Sequence, residues 1–229
     1  MDDFVSQVSW VSALAEPARR ALYLYVAAQP KPVSRDQAAE GAGLPRHTAK
    51  FHLDKLVEEG LLATEFRRLS GRRGPGAGRP TKLYRRSARE VAVTLPQRHY
   101  DLAGQILAGA VEAAARDDIP VLEAVQRAAA DCGRRLGSEE QPGEGSESPL
   151  DDVAVTLTGH GYEPRVQDDV VVLANCPFHA LARDHTALVC GMNLHLITAM
   201  LDELGHTEVQ ARLDPAPQRC CVTLTRTPA

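Results

Sequence analysis

Four of the five cysteines in this chain fall in its last quarter: Cys176, Cys190, Cys220 and Cys221. Cys176 lies inside Asn-Cys-Pro-Phe-His. Cys190 follows beyond thirteen intervening residues, and the adjacent pair Cys220-Cys221 beyond a further twenty-nine. His179, His185 and His195 stand among them. Thiolates are soft ligands that suit an iron–sulfur cluster or zinc. Cys176 reads as the end of a strand, Cys190 as the start of a helix, and Cys220 and Cys221 as part of a final strand. Three such segments can converge on one point, and metal sites are built from distant segments in that way. The spacing is not that of a CxxC knuckle and does not choose the ion. The competing reading is that the thiols are buried and pack as small hydrophobes. Cys132, alone on a helix, is read so. An enzyme with a cysteine nucleophile would need an activating base and a pocket. No triad signature and no glycine-rich phosphate loop is present, so the chain is read as a non-enzyme.

A second group of residues has the chemistry to meet a polyanion. Arg46, His47, Thr48 and Lys50 gather at the start of one helix, and Arg72, Arg73 and Arg79 punctuate the tract SGRRGPGAGRPTK. Cations and hydrogen-bonding side chains in these places suit base edges and phosphates. The stretch that must position them runs from 33 to 62. Ser34 with Gln37 forms a capping-box pattern at the head of a first helix, whose Ala38, Ala39 and Ala42 make a small packing face. Gly43-Leu44-Pro45 breaks it. In the second helix Ala49, Leu53, Leu56 and Val57 recur at helical spacing and face inward, which leaves His47, Lys50, Phe51 and Asp54 outward. This is a helix-turn-helix. Gly60 ends the second helix, 61–69 reads as a strand, the Gly/Pro tract as a loop, and a second strand begins at Leu83. Strand, basic loop and strand make a wing. The alternative is an ordinary helical pair followed by a basic loop.

The formal charge of −4 hides a division. Between residues 31 and 90 stand 14 Lys/Arg against 7 Asp/Glu, a local charge of +7, which leaves −11 on the rest of the chain. A basic module that faces nucleic acid is thereby joined to an acidic one. No run is long and apolar enough to span a membrane, and MDDFVSQVSW is no signal peptide, so the protein is placed in the cytoplasm. Its cysteines are then thiols or metal ligands sooner than disulfides.

The remaining elements follow from periodicity. Residues 4–29 predict one or two helices whose Leu14, Pro17, Ala21, Leu22 and Val26 support the recognition helix. Trp10 is assigned to packing or a dimer contact. Residues 97–116 predict a long helix, either a dimer contact or an internal packing helix, and another helix runs from 120 to 136. The tract GSEEQPGEGSESP has no apolar residue and reads as a flexible acidic linker, so that any control by the sensor must pass through the 97–116 helix or across a dimer. Beyond it the chain predicts a helix at 150–160, a hairpin over Gln167-Asp168-Asp169, a helix at 187–204 and strands at 209–213 and 220–225. The fold class is α+β, with four parts: a winged helix-turn-helix at 1–90, helical linker and dimerisation helices at 91–136, the acidic linker at 137–149, and a cysteine-containing sensor domain at 150–229.

The residues ALAEPARRALYLYV, the helix PRHTAKFHLDKLVEEGLL and the wing pattern GRP-T-LY resemble the ArsR-like winged-helix repressors. With CPF-x-A-L-A, VCG-x-N-x-x-L and the late pair in RCCV, the order of motifs resembles the SufR-type branch over nearly the whole chain. That resemblance implies a repressor of iron–sulfur assembly genes that carries a cluster itself. It implies Cys176 and Cys190 as ligands and Cys220 or Cys221 as a third. The chain departs from the pattern by lacking a further, separated cysteine near its C-terminus. Adjacent residues of a strand point to opposite faces. Either a bulge turns both late cysteines inward, or His179 completes the set. The whole predicts a homodimer that binds double-stranded DNA at an inverted repeat, with no membrane partner. An iron–sulfur cluster in the C-terminal domain would control operator affinity, with zinc as the alternative occupant.

Overall fold

The structure is a computed structural model that describes residues 2–68, 80–140 and 148–227, with side chains from residue 5 onward. The chain forms two compact units, Met1–Val93 and Thr94–Ala229.

In the first unit, α1 (Asp2–Ala13) and α2 (Pro17–Ala28) precede a short β1 (Val33–Ser34), then α3 (Arg35–Gly41), α4 (Arg46–Glu58), β2 (Leu62–Arg67) and β3 (Thr81–Arg86). The capping box forms: the Gln37 amide donates to Ser34 Oγ at 3.3 Å, and the Ser34 amide donates to Gln37 Oε1 at 2.8 Å. Gly43 adopts φ +65, so that its own amide and that of Leu44 turn back onto the carbonyls of Glu40 and Ala39. Gly60, at φ +73, closes α4 in the same way, with Gly60 bonded to Val57 and Leu61 to Leu56. Both ends are Schellman closures, which need a left-handed residue without a Cβ penalty. Leu22, Val26, Ala38, Ala39, Ala49, Leu53 and Leu56 fill the core between α2, α3 and α4. The packing is close: a Cβ on Gly41 would lie 1.9 Å from the Tyr25 ring. Strands β2 and β3 pair antiparallel from Leu62↔Arg86 to Arg67↔Thr81, and β1 adds to the other side of β3. Strand β1, two residues long, has no counterpart in the sequence expectations. Arg72, Arg73 and Arg79, expected from the sequence in a basic wing loop, lie outside the described residues.

The second unit holds α5 (Tyr100–Asp117), α6 (Val121–Glu139), α7 (Pro149–Gly159), β4 (Pro164–Gln167), β5 (Val170–Leu173), α8 (His179–Asp184), α9 (Thr186–Glu203), β6 (Val209–Leu213) and β7 (Val222–Arg226). The sheet is antiparallel throughout, in the order β4-β5-β7-β6. Helix α9 packs on β6 and β7, α6 lies against α9, and α5 lies against α6. One continuous core runs from Ala103, Ile106 and Ala129 through Leu157, Val171 and Phe178 to Met192, Met200 and Leu224. Among the described residues no helix is long and apolar enough to cross a membrane.

Three features differ from expectation. Helices α5 and α6 share their core with the cysteine-bearing module instead of standing apart as a linker at 91–136, because Gly133 and Gly137 let α6 approach α9 closely. Helix α6 also continues to Glu139, into the tract read as a flexible linker from 137; residues 141–147 of that tract lie outside the described residues. Finally, the last strand begins at Val222, so Cys220 and Cys221 precede it.

Candidate functional site

On α4, Arg46, His47, Lys50 and Phe51 are exposed and Thr48 is half-buried, as the helical spacing of Ala49, Leu53 and Leu56 requires. Phe51 is 68% exposed, a large apolar side chain on a face otherwise polar. Arg46 pairs with Asp36 of α3 at 2.6 Å. Lys50 lies 3.7 Å from Asp54, which also takes Lys82 of β3 at 2.8 Å and the Tyr84 hydroxyl at 3.5 Å. The hydrogen bond from Lys82 is the main reason that the Asp54 carboxyl is held below the ordinary carboxylate range. A cavity of about 310 Å³ opens among Arg35, Asp36, Lys50, Asp54, Lys82 and Tyr84, so recognition helix and wing strand meet over one polar depression. Sequence reading placed Asp54 outward but did not find Lys82; strand pairing across β2 and β3 is what carries Lys82 to the helix.

The second unit gathers the thiols. Cys176 follows β5, Cys190 sits in the first turns of α9, and Cys220 and Cys221 lie in the turn between β6 and β7. Cys176, Cys190 and Cys220 are buried and Cys221 is partly so. The Cys220 amide donates to the Leu173 carbonyl at 2.8 Å, and the Asp214 amide donates to the Cys221 carbonyl at 2.7 Å. The two neighbours are thus anchored to different strands, and Gln218 at φ +60 turns the chain ahead of them. Strand alternation does not govern them, which removes the objection to both facing one site.

Cys176 and Cys220 stand close enough to shift each other's ionisation, and so do Cys190 and Cys221. Cys176 is held below the usual thiol range, first by the hydrogen bond from Cys220, helped by the Phe178 amide and the Arg98 charge. Cys220 is raised by the same shared proton and by burial. Cys190 is pushed up to about 12 by burial and then by Cys221. Two N–H groups also aim at Cys220 Sγ: Asn193 Nδ2 at 3.3 Å and the Val222 amide at 3.5 Å. Asn193 is itself buried and accepts from the buried Tyr162 hydroxyl.

Chemically this is a set of sulfur side chains supplied by three segments and largely shielded from water, in which Cys176 is eased toward the thiolate while Cys190 and Cys220 are held as thiols. The donor types fit a soft ion or a cluster. Among the described residues, however, no group of three or more His, Cys, Asp or Glu side chains is gathered tightly enough to hold one metal ion. His179 stands exposed at the head of α8, its amide bonded to the Cys176 carbonyl at 3.0 Å. Among the described residues no hydrogen bond links its imidazole to the thiols. Cys132 is buried on α6, with its thiol raised by burial and approached by Arg135 at 3.5 Å, apart from the two pairs. Asn175 and Asn193 lie within the NCPF and LVCGMN motifs, yet nothing in their spacing marks them as partners of the cysteines. Arg98 carries no sequence signal at all.

No curated protein and no solved structure matches the chain. One family model does, described as Helix-turn-helix domain, over residues 14–65. That span covers α2, β1, α3, α4 and the start of β2, so the first unit contains a helix-turn-helix domain of the kind DNA-binding transcriptional regulators carry.

Proposed function

We propose that the chain is a transcriptional repressor of the SufR type, a homodimer that binds double-stranded DNA at an inverted repeat. Its operator affinity is controlled by an iron–sulfur cluster on Cys176, Cys190, Cys220 and Cys221. When bound, it would supply a charge and geometry that change on oxidation or loss. The residues themselves supply four sulfur donors and the Asn193 and Val222 N–H groups that point at Cys220. Zinc is the alternative occupant, because four thiolates suit it equally by donor type. On the DNA side, Arg46, His47, Thr48 and Lys50 face the major groove, and Arg72, Arg73 and Arg79 serve phosphates or the minor groove.

Protein purified without oxygen is expected to be brown, to contain iron and sulfide, and to lose both in the Cys176→Ser variant. Duplexes selected from a random pool by the wild type are then bound with a different affinity after the metal is stripped. Colourless protein with stoichiometric zinc would replace the cluster and keep the site. Colourless protein with no metal, and an unchanged melting temperature in Cys176→Ser, would leave packed thiols only.

A further inference from the structure

We propose that Phe51 is a specificity-determining residue of the DNA reader: its ring packs on the C5 methyl group of a thymine in the major groove, so that each half-site must carry a T·A pair at one fixed position. This rests on the sequence-specific DNA binding proposed above and needs nothing of the thiol site. Phe51 follows Lys50 in α4 and is 68% exposed, whereas Ala49, Leu53 and Leu56 of the same helix are wholly buried. At about 100° per residue, Phe51 stands about 165° around the helix from the mean direction of those three, and His47, one turn earlier, about 155°. The two therefore mark the middle of the outward face. Helix-turn-helix proteins lay this face of their second helix in the major groove.

A lone exposed apolar side chain is ordinary on a protein surface and argues nothing by exposure alone. Its place and its support carry the argument. Arg46, His47 and Lys50, all exposed, share the helix surface with it, and such a surface draws a polyanion. Among the described residues, Phe51 is the one large apolar side chain that α4 exposes. Its ring is braced from one side: the His52 ring meets it edge-on, with centroids 5.2 Å apart and planes at 70°. His52 Nδ1 in turn lies 3.6 Å from the carboxylate of Glu16, the residue that caps α2. In the major groove the base edges present N–H donors and oxygen or nitrogen acceptors, and the apolar feature among them is the thymine methyl. A phenyl ring pressed on a donor or acceptor strips it of water and returns no hydrogen bond, which is penalised. Pressed on the methyl, it removes apolar surface of both partners from water. One side chain thus favours thymine and disfavours the other bases, and specificity is that difference.

The test uses the full chain, purified without oxygen, on the duplex it selects from a random pool. Each thymine of that duplex is replaced in turn by deoxyuridine, which removes the methyl and leaves the base pair. Burial of one methyl is worth about fourfold in affinity, so the wild type is expected to lose about that much at one thymine of each half-site. Phe51→Ala should keep the melting temperature, bind the thymine duplex more weakly and no longer distinguish thymine from uracil at that position. Phe51→Leu, which keeps an apolar contact, should retain part of the distinction. A wild type indifferent to every uracil replacement overturns the proposal. So does a Phe51→Ala variant that pays the full wild-type penalty at the same thymine, because the methyl would then meet another residue. A changed oligomeric state in Phe51→Ala, read by light scattering, also overturns it, since the ring would then cover a second copy of the chain. A wild type that selects no sequence from the pool overturns the sequence-specific reading on which the proposal rests.

Discussion

Asp54 sits between two lysines, 2.8 Å from Lys82 on the wing strand and 3.7 Å from Lys50 on the recognition helix. One carboxylate therefore joins α4 to β3 and leans the Lys50 ammonium toward its own helix. The hydrogen bond from Lys82 depresses the folded carboxyl below its unfolded value. A depressed acid favours the folded state above the unfolded pKa of about 4, and that contribution is lost as pH falls through the lower folded value. Asp54→Asn should accordingly lower the urea midpoint near neutral pH and make the acid limb of the stability profile shallower. Identical acid limbs in the two proteins would show that the pair is screened out, as exposed pairs often are. The same substitution frees Lys50, so DNA binding should strengthen slightly at low salt even as stability falls.

At the scale of elements, the α6–α9 contact holds the second unit together, and glycine makes it possible. A Cβ on Gly133 would meet the Leu196 carbonyl oxygen at 2.2 Å, and one on Gly137 the Met200 carbonyl oxygen at 3.0 Å. Gly133→Ala must push the helices apart and should cost about 1–3 kcal/mol, the usual range for overpacking. Gly109 on α5 has no atom within 4 Å of such a Cβ, so Gly109→Ala should stabilise by up to about 1 kcal/mol through helix propensity. Opposite shifts in chemical denaturation midpoints are the expected result, and a loss in both variants would refute the close-approach account. These two glycines also show what was legible in the chain and what was not. The capping box at Ser34, the stops at Gly43 and Gly60 and the inward stripe of α4 are local signals, and each formed in its place. Gly133 and Gly109 look alike in sequence, because what separates them is a partner helix far along the chain. The late cysteines were misplaced onto a strand for a related reason: their backbone is set by tertiary bonds to Leu173 and Asp214, and the β-like run RCCVTL gives no sign of them. Arg98 meets Asn175 across 77 residues, a distance over which periodicity carries no information.

The whole chain divides its charge as it divides its fold: +7 between residues 31 and 90, inside the helix-turn-helix unit, and −11 elsewhere. An acidic partner attached to a basic reader repels the duplex wherever it approaches, so binding must be won at the reader face and is steeply dependent on salt. One helix-turn-helix unit reads few base pairs, which is why we expect two copies on half-sites about one helical turn apart. The cations then separate by role. Lys50, exposed on α4, is proposed to choose among bases. Arg72, in the basic tract SGRRGPGAGRPTK, is proposed to serve a phosphate. Lys50→Ala should change the sequences selected from a random duplex pool and cost about 1–3 kcal/mol on the wild-type site. Arg72→Ala should weaken all duplexes alike and reduce the slope of log affinity against log salt by about 0.9 for each phosphate no longer neutralised, hence about twice that for a dimer. Anisotropy titrations at several salt concentrations, with stoichiometry read from the plateau, measure both effects. One chain per duplex with a single phosphate's change in slope would argue against the dimer. Loss of sequence preference in Arg72→Ala would move the wing from the phosphates to the bases, because a side chain that merely neutralises a phosphate cannot tell one sequence from another.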